Sequence, residues 1–161
     1  MHEPTNVGAN TLAGVLHQMQ HRTAEARVNY ERALEINPRA AVAGNNLAWI
    51  YVEEGRNLDS ALQLAQMATS ELPQRPEVSD TLAWVYHKKG LSSLAVPPLL
   101  ESVQKDPKNA IFHYHLGAAY AATRQPAKAR EALHRALAID SSSPAAENVR
   151  KLLAPIPGGK S

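Results

Sequence analysis

Apolar and small residues recur three and four places apart along most of the chain, as in Leu47, Ala48 and Tyr51 and then Ala61, Ala65 and Ala68. This is the period of a helix with one buried face, and short polar stretches interrupt it at regular intervals. The pattern predicts pairs of helices: a helix A over about 8–20, 41–54, 76–89 and 110–123, and a helix B over about 24–36, 58–71, 94–105 and 126–139. Pro38, Pro73 and Pro107 stop three of the B helices, because proline lacks the amide hydrogen that continues a helix and disfavours helical geometry in the residue before it. Asp140-Ser141-Ser142-Ser143 closes the fourth. A ninth helix follows, with Ser143 as N-cap, Pro144 in the first helical position, and Val149, Leu152 and Leu153 on one face up to Ala154. Pro97 and Pro98 fall inside the third B helix and remove two of its amide hydrogens. That helix is therefore expected to kink there or to begin close to Pro97, with Leu91 to Val96 partly irregular.

The pairs are copies of one unit. Leu47-Ala48-Trp49-Ile50-Tyr51 returns 35 residues on as Leu82-Ala83-Trp84-Val85-Tyr86, and 34 further as Leu116-Gly117-Ala118-Ala119-Tyr120. Ala13-Gly14-Val15-Leu16-His17 is a fainter first copy. The B helices keep the same period in two rows of small residues: Ala26, Ala61, Ala95 and Ala129, and Ala33, Ala68, Ser102 and Ala136. The units are 7–40, 41–75, 76–109 and 110–143, and the one extra residue of the second falls at the turn signal Gly55-Arg56-Asn57. Residues 144–154 are expected to cap the last unit, and 1–6 and 155–161 to be flexible tails.

A period of this length with these residue types resembles the tetratricopeptide repeat. Gly14, Ala48, Ala83 and Gly117 fill the small position where helices A and B approach, and Tyr51, Tyr86 and Tyr120 fill the aromatic one. Asn10, Gly44, Ser79 and His113 stand where the family carries an early tryptophan, and His17 takes the first unit's aromatic place, so that unit is expected to pack more loosely. The resemblance implies an all-α, right-handed superhelical solenoid of four helix-turn-helix repeats with a C-terminal capping helix. It also implies a concave groove, lined by A helices, that binds a peptide or a segment of a partner protein. The expected function is a protein–protein interaction scaffold. The Leu-Ala-Trp-aliphatic-Tyr wording is similar to that of bacterial repeat proteins that assemble secretion, pilus or exopolysaccharide machinery. Two alternatives stand beside it: a self-assembling structural protein, and a docking or regulatory module of a larger enzyme.

The second, fifth, ninth and twelfth places of each unit project from helix A away from its packing stripe. They carry Val42, Asn45, Trp49 and Val52 in the second unit, Glu77, Asp80, Trp84 and His87 in the third, and Ile111, Tyr114, Ala118 and Ala121 in the fourth. The expected partner-binding residues are Asn45, Trp49, Glu77, Asp80, Trp84, His87 and Tyr114. In this arrangement the indoles anchor an apolar side chain, Asn45 and Asp80 bond an extended backbone, and Glu77 with Asp80 favours a nearby basic residue. The competing view is that the tryptophans only seal the seam between helices.

Composition narrows the chemistry. The 161 residues contain no cysteine, which excludes a disulfide framework, a thiolate zinc site and a cysteine nucleophile. A net charge of +2, dispersed along the chain, is too small for a nucleic-acid footprint. His17 with His21, and His113 with His115, lack the spacing and companions of a metal site. The run from Ala154 to Ser161 mimics a phosphate loop but has no strand before it or helix after it. No catalytic residue, metal or cofactor is expected, and the chain reads as a non-enzyme. No stretch is apolar enough for direct membrane insertion, so a soluble protein is expected, cytoplasmic by default or periplasmic if an upstream signal is removed. Partners are expected to be proteins or peptides, with a homo-oligomer compatible.

Overall fold

The computed structural model describes residues 6–156. Its helices are α1 (Val7–Met19), α2 (Thr23–Ile36), α3 (Ala41–Glu53), α4 (Leu58–Glu71), α5 (Pro76–Lys88), α6 (Ser92–Lys105), α7 (Ala110–Ala122), α8 (Pro126–Ile139) and α9 (Pro144–Leu153). Among the described residues there is no strand. Residues 1–5 and 157–161, which hold most of the expected tails and of the phosphate-loop mimic, lie outside them. Ile156, assigned to the C-terminal tail from sequence, packs against the core of α8 and α9.

Every A-to-B turn has the same construction. His21, Gly55, Gly90 and Arg124 all have positive φ, between 58° and 77°, and they keep the repeat period. The next amide reaches back five residues to close the helix end: Arg22 N–H to His17 O, Arg56 to Tyr51, Leu91 to Tyr86 and Gln125 to Tyr120. This is the left-handed termination that satisfies the last carbonyls of a helix. Glycine adopts it without strain in two turns, while His21 and Arg124 carry its cost in the other two. The second turn holds the extra residue, Asn57, itself left-handed at φ 51°.

The B helices end two residues before each proline, at Ile36, Glu71 and Lys105. In the fourth unit Ser141 stands at the proline's position, and the residue before it, Asp140, organises the turn. Its Oδ1 accepts from Ser142 N–H at 3.0 Å, from the Ser142 hydroxyl at 3.0 Å and from Ser143 N–H at 2.9 Å. These bonds, the Ser142 amide first, hold the Asp140 carboxyl below its ordinary pKa. Ser143 occupies the N-cap position of α9, but its hydroxyl donates back to Asp140 O and makes no bond to a helix amide.

The expectation that α6 begins close to Pro97 is corrected. One helix runs through Ser92–Lys105 with Pro97 and Pro98 inside it, and Leu91 to Val96 is not an irregular segment. Proline at these places removes the bonds to the carbonyls of Ser93 and Leu94, and both residues lie on the exposed side of the helix. On that side carbonyls can turn to solvent, so the helix continues at a cost in stability.

The chain divides into two compact units inside α5, between Thr81 and Leu82. In the first, α2 packs on α1 and α3, and α4 on α3. The small rows of the B helices are buried there, with Ala26, Ala33, Ala61, Ala65 and Ala68 all fully covered. Gly14 lies under the ring of Tyr30, where a Cβ would come within 2.5 Å of Cε1. Tyr30 is itself fully buried. In the second unit α7 packs on α6, α8 and α9. Ala95, Leu99, Leu116, Ala119, Tyr120, Ala129 and Ala132 form its core, and Leu133, Ala136 and Val149 join α8 to α9.

Candidate functional site

In the first unit, α3 carries Asn45 and Trp49 one turn apart. Trp49 is half-buried and lines a hollow of about 520 Å³ with Gln18, His21, Thr23, Ile50, Glu53 and Glu54. A polar chain crosses the three helices beside it. Asn45 Nδ2 donates to Asn46 Oδ1 at 3.3 Å, Asn46 Nδ2 to Tyr30 Oη at 3.1 Å, and Tyr30 Oη to Gln18 Oε1 at 2.8 Å. Burial raises the pKa of Tyr30, and the bond from Asn46 opposes this only in part, so the phenol stays protonated and able to donate. Asn45 Oδ1 is buried without a hydrogen-bond partner among the described residues. Glu54 accepts ion pairs from Arg27 at 3.8 Å and Arg56 at 2.5 Å.

The two acidic residues expected on α5 differ. Glu77 is exposed and paired with Arg75 at 2.6 Å. Partial burial works to raise its pKa, but the bonds from Arg75 and from its own backbone amide bring it below the ordinary value. Asp80 is 4% exposed, so its carboxylate belongs to packed structure and not to an open surface.

In the second unit Trp84 is likewise 4% exposed. Its indole is stacked between two imidazoles, His87 with ring centroids 4.8 Å apart and His115 at 3.9 Å, with interplanar angles of 16° and 17°. Tyr114 tilts against it at 5.6 Å, and Lys88 Nζ stands 4.9 Å from the ring centroid, within cation–π range. His87 Nδ1 lies 3.0 Å from Ser92 Oγ. Burial lowers the pKa of His87, and the charges of Lys88 and His115 lower it further. The stack forms one side of a hollow of about 540 Å³ walled by His87, Lys88, Tyr114, Ala118, Ala121 and, from α9, Lys151 and Leu152.

Five residues chosen by their phase on helix A thus share one hollow: Trp84, His87, Tyr114, Ala118 and Ala121. Trp49 lines a hollow of its own in the first unit. Sequence reasoning missed His115, Lys88 and the α9 wall. His115 lies beside the packing stripe and gave no signal distinct from its neighbour His113. Residues of α9 stand outside the repeat period, which therefore says nothing of them. The expected attraction for a basic residue does not extend to the second unit's hollow, where the charged groups at the wall are Lys88 and Lys151, the latter paired with Glu147 at 2.7 Å. Among the described residues no three His, Cys, Asp or Glu side chains converge as a metal site would require, and no helix is long and apolar enough to cross a membrane.

Helix pairs repeated in phase, closed by a helix outside the period, define an all-α repeat solenoid. A tetratricopeptide repeat model matches residues 2–88 and a second matches 110–143, and the chain belongs to the tetratricopeptide repeat family. Its class of function is that of the family, a protein–protein interaction scaffold, and the fold is in general a non-catalytic one. Solved structures with the same fold include a thermophilic tetratricopeptide repeat protein of Thermus thermophilus, with 23% identity and a TM-score of 0.74 over 94% of this chain and 81% of that one. Others are pilF of Pseudomonas aeruginosa, with 21% identity and a TM-score of 0.71 over 96% and 78%, and MamA of Desulfovibrio magneticus, with 15% and 0.72 over 89% and 80%. No curated protein matches the chain.

Proposed function

We propose that the chain binds a segment of a partner protein through the A-helix faces, with the hollow of the second unit as the main anchor point. The observation that carries this is the convergence of His87, Tyr114, Ala118 and Ala121 around the Trp84 stack, with α9 as a further wall. Alanines leave the space, the buried indole makes its side rigid, and Tyr114 supplies an amphipathic edge of the sort that concentrates binding energy. An apolar side chain fits the hollow, and an acidic neighbour suits Lys88 and Lys151 at its edge. In the first unit Trp49, beside Glu53 and Glu54, offers a second apolar contact whose neighbour is basic, while Asn45, its Oδ1 buried and its Nδ2 bonded to Asn46, is left to the polar chain within the unit. Glu77 and Asp80 are left to position α5: the first through Arg75, the second from within the packed structure. The finer role in assembling a bacterial secretion, pilus or exopolysaccharide machine rests on the Leu-Ala-Trp-aliphatic-Tyr wording.

Selection from a random peptide library against the 161-residue chain tests the reading. Enriched peptides are expected to carry an apolar residue next to Asp or Glu. Ala121→Arg, which fills the hollow from a half-buried position, should weaken them by about 100-fold, and Tyr114→Ala by about 30-fold, with helical circular dichroism unchanged. No enrichment, or peptides that bind Ala121→Arg as well as the parent, would overturn it.

A further inference from the structure

A groove of about 660 Å³ in the second unit shares no lining residue with the hollow beside Trp84. Leu100 and Val103 of α6 form one wall, Leu116 and Tyr120 of α7 the floor, and Ala132 and Arg135 of α8 the other wall. The repeat explains why it is open. The equivalent place in the first unit, bordered by α2, α3 and α4, has Leu64 where this groove has Ala132, Met67 where it has Arg135, and Glu31 where it has Leu100. There Met67 Cε reaches so close to Gly44 that a Cβ on the glycine would lie 2.5 Å from it, and Leu64 stands beside it. Glu31 accepts from Tyr51 Oη at 3.2 Å. In the second unit these three side chains give way to a methyl group, an exposed guanidinium and an exposed leucine, which leave space. His113 stands in place of Gly44, and its Nε2 donates to the Pro107 carbonyl at 3.0 Å, which ties its ring to the loop that follows α6.

We propose that this groove binds a single-chain amphiphile with one anionic head, an acyl carboxylate of about eight to twelve carbons, its chain against α6 and α7 and its head at Arg135. The volume lies within the range of small-molecule sites. The α6 wall and the Leu116 floor offer apolar surface, while the cations stand on α8. Of these, Lys128 Nζ is engaged, donating to Gln125 Oε1 at 3.0 Å and standing 5.4 Å from the Tyr120 ring centroid. The Arg135 guanidinium makes no ion pair or hydrogen bond with another described residue, and its fork matches a carboxylate through two parallel bonds. Glu131 lies between the two cations in sequence and is exposed on the same edge, so the charges along α8 alternate in sign. A run of acidic peptide would meet Glu131, whereas a ligand with a single charge meets only Arg135. The seven residues from Lys128 to Arg135 span about 10 Å of α8, which is the length of an acyl chain of about eight to ten carbons.

Isothermal titration of the full chain with sodium decanoate at neutral pH is expected to give one site with a dissociation constant on the order of 100 µM. Octanoate should bind about fivefold more weakly or worse, because each methylene withdrawn from the groove adds to the loss. Ala132→Leu combined with Arg135→Met, which gives the groove the residues of its counterpart in the first unit, should weaken decanoate by about 30-fold or more with helical circular dichroism unchanged. Arg135→Met alone should weaken decanoate by about tenfold and leave octan-1-ol unaffected, since only the acid has a charge to present. No saturable binding, octanoate held as tightly as decanoate, binding retained by the double variant, or acid and alcohol weakened alike by Arg135→Met would each overturn the proposal. Should the double variant lose its helical signal, the comparison of acid and alcohol on Arg135→Met decides, because that side chain is exposed: a loss confined to the acid supports the proposal and any other result overturns it.

Discussion

At the scale of single residues, the stack of His87, Trp84 and His115 ties the second unit to pH. The folded structure lowers the pKa of His87 from its ordinary 6.5, burial first and then the charges of Lys88 and His115. Between the folded and the ordinary value the unfolded chain binds more protons, so stability rises with pH through that window. The contribution of neutral His87 is complete above about 6.5 and is lost as pH falls below it. His87→Phe, which keeps a stacking ring and removes the proton site, is expected to flatten the fall in urea-unfolding stability between about pH 7 and pH 5. Equal slopes for the two proteins would remove His87 from the account. Glycines make a second contrast. A Cβ on Gly117 would lie 2.6 Å from Leu133 Cγ and 3.3 Å from the Ala129 carbonyl, whereas one on Gly44 would be close only to Met67 Cε, the mobile end of a flexible side chain. Gly117→Ala should destabilise by about 1–3 kcal/mol. Gly44→Ala should be neutral or stabilise by up to about 1 kcal/mol through helix propensity, both read from urea-unfolding midpoints.

At the scale of elements, α6 shows how far packing outweighs local preference. Its first half has two prolines and no side-chain cap, yet Ala95, Leu99 and Ser102 are fully buried at helical spacing. Those contacts exist only if the helix from Ser92 to Lys105 is continuous, and the lost hydrogen bonds fall on the water side, where they cost least. Pro97 is exposed, so restoring its amide removes little packing. Pro97→Ala should stabilise the chain by about 1–3 kcal/mol and raise its melting temperature. A lower melting temperature would show that the proline ring itself is a packing element.

At the scale of the molecule, α9 serves two ends. Val149 and Ala146 are buried, and Val149 joins Leu133 and Ala136 of α8, while Lys151 and Leu152 wall the hollow beside Trp84. Ending the chain after Ser143 should therefore do more than expose an apolar face. Loss of the Val149 and Leu152 contacts, each worth roughly 1.5–3 kcal/mol when fully made, should lower both the melting temperature and the solubility limit. A truncated chain as stable and monodisperse as the parent would show that 144–153 is no cap.

The sequence by itself determined the helices, their turns and their phase. Each of those features is local: the three-and-four spacing, the prolines at 38, 73 and 107, and the extra residue at Asn57 all act within a few residues of where they stand, and the period repeats them four times. It determined as well that Trp84, His87, Tyr114, Ala118 and Ala121 project from one side of their helices. Only the tertiary structure decided that Trp84 is enclosed while Trp49 stays half-open, that Asp80 is buried, and that lysines rather than carboxylates edge the second hollow. The enclosure of Trp84 and the lysine edge depend on His115 and on α9, brought beside Trp84, His87 and Lys88 from distant parts of the chain, and side-chain neighbours that arrive from so far leave no mark on a local period.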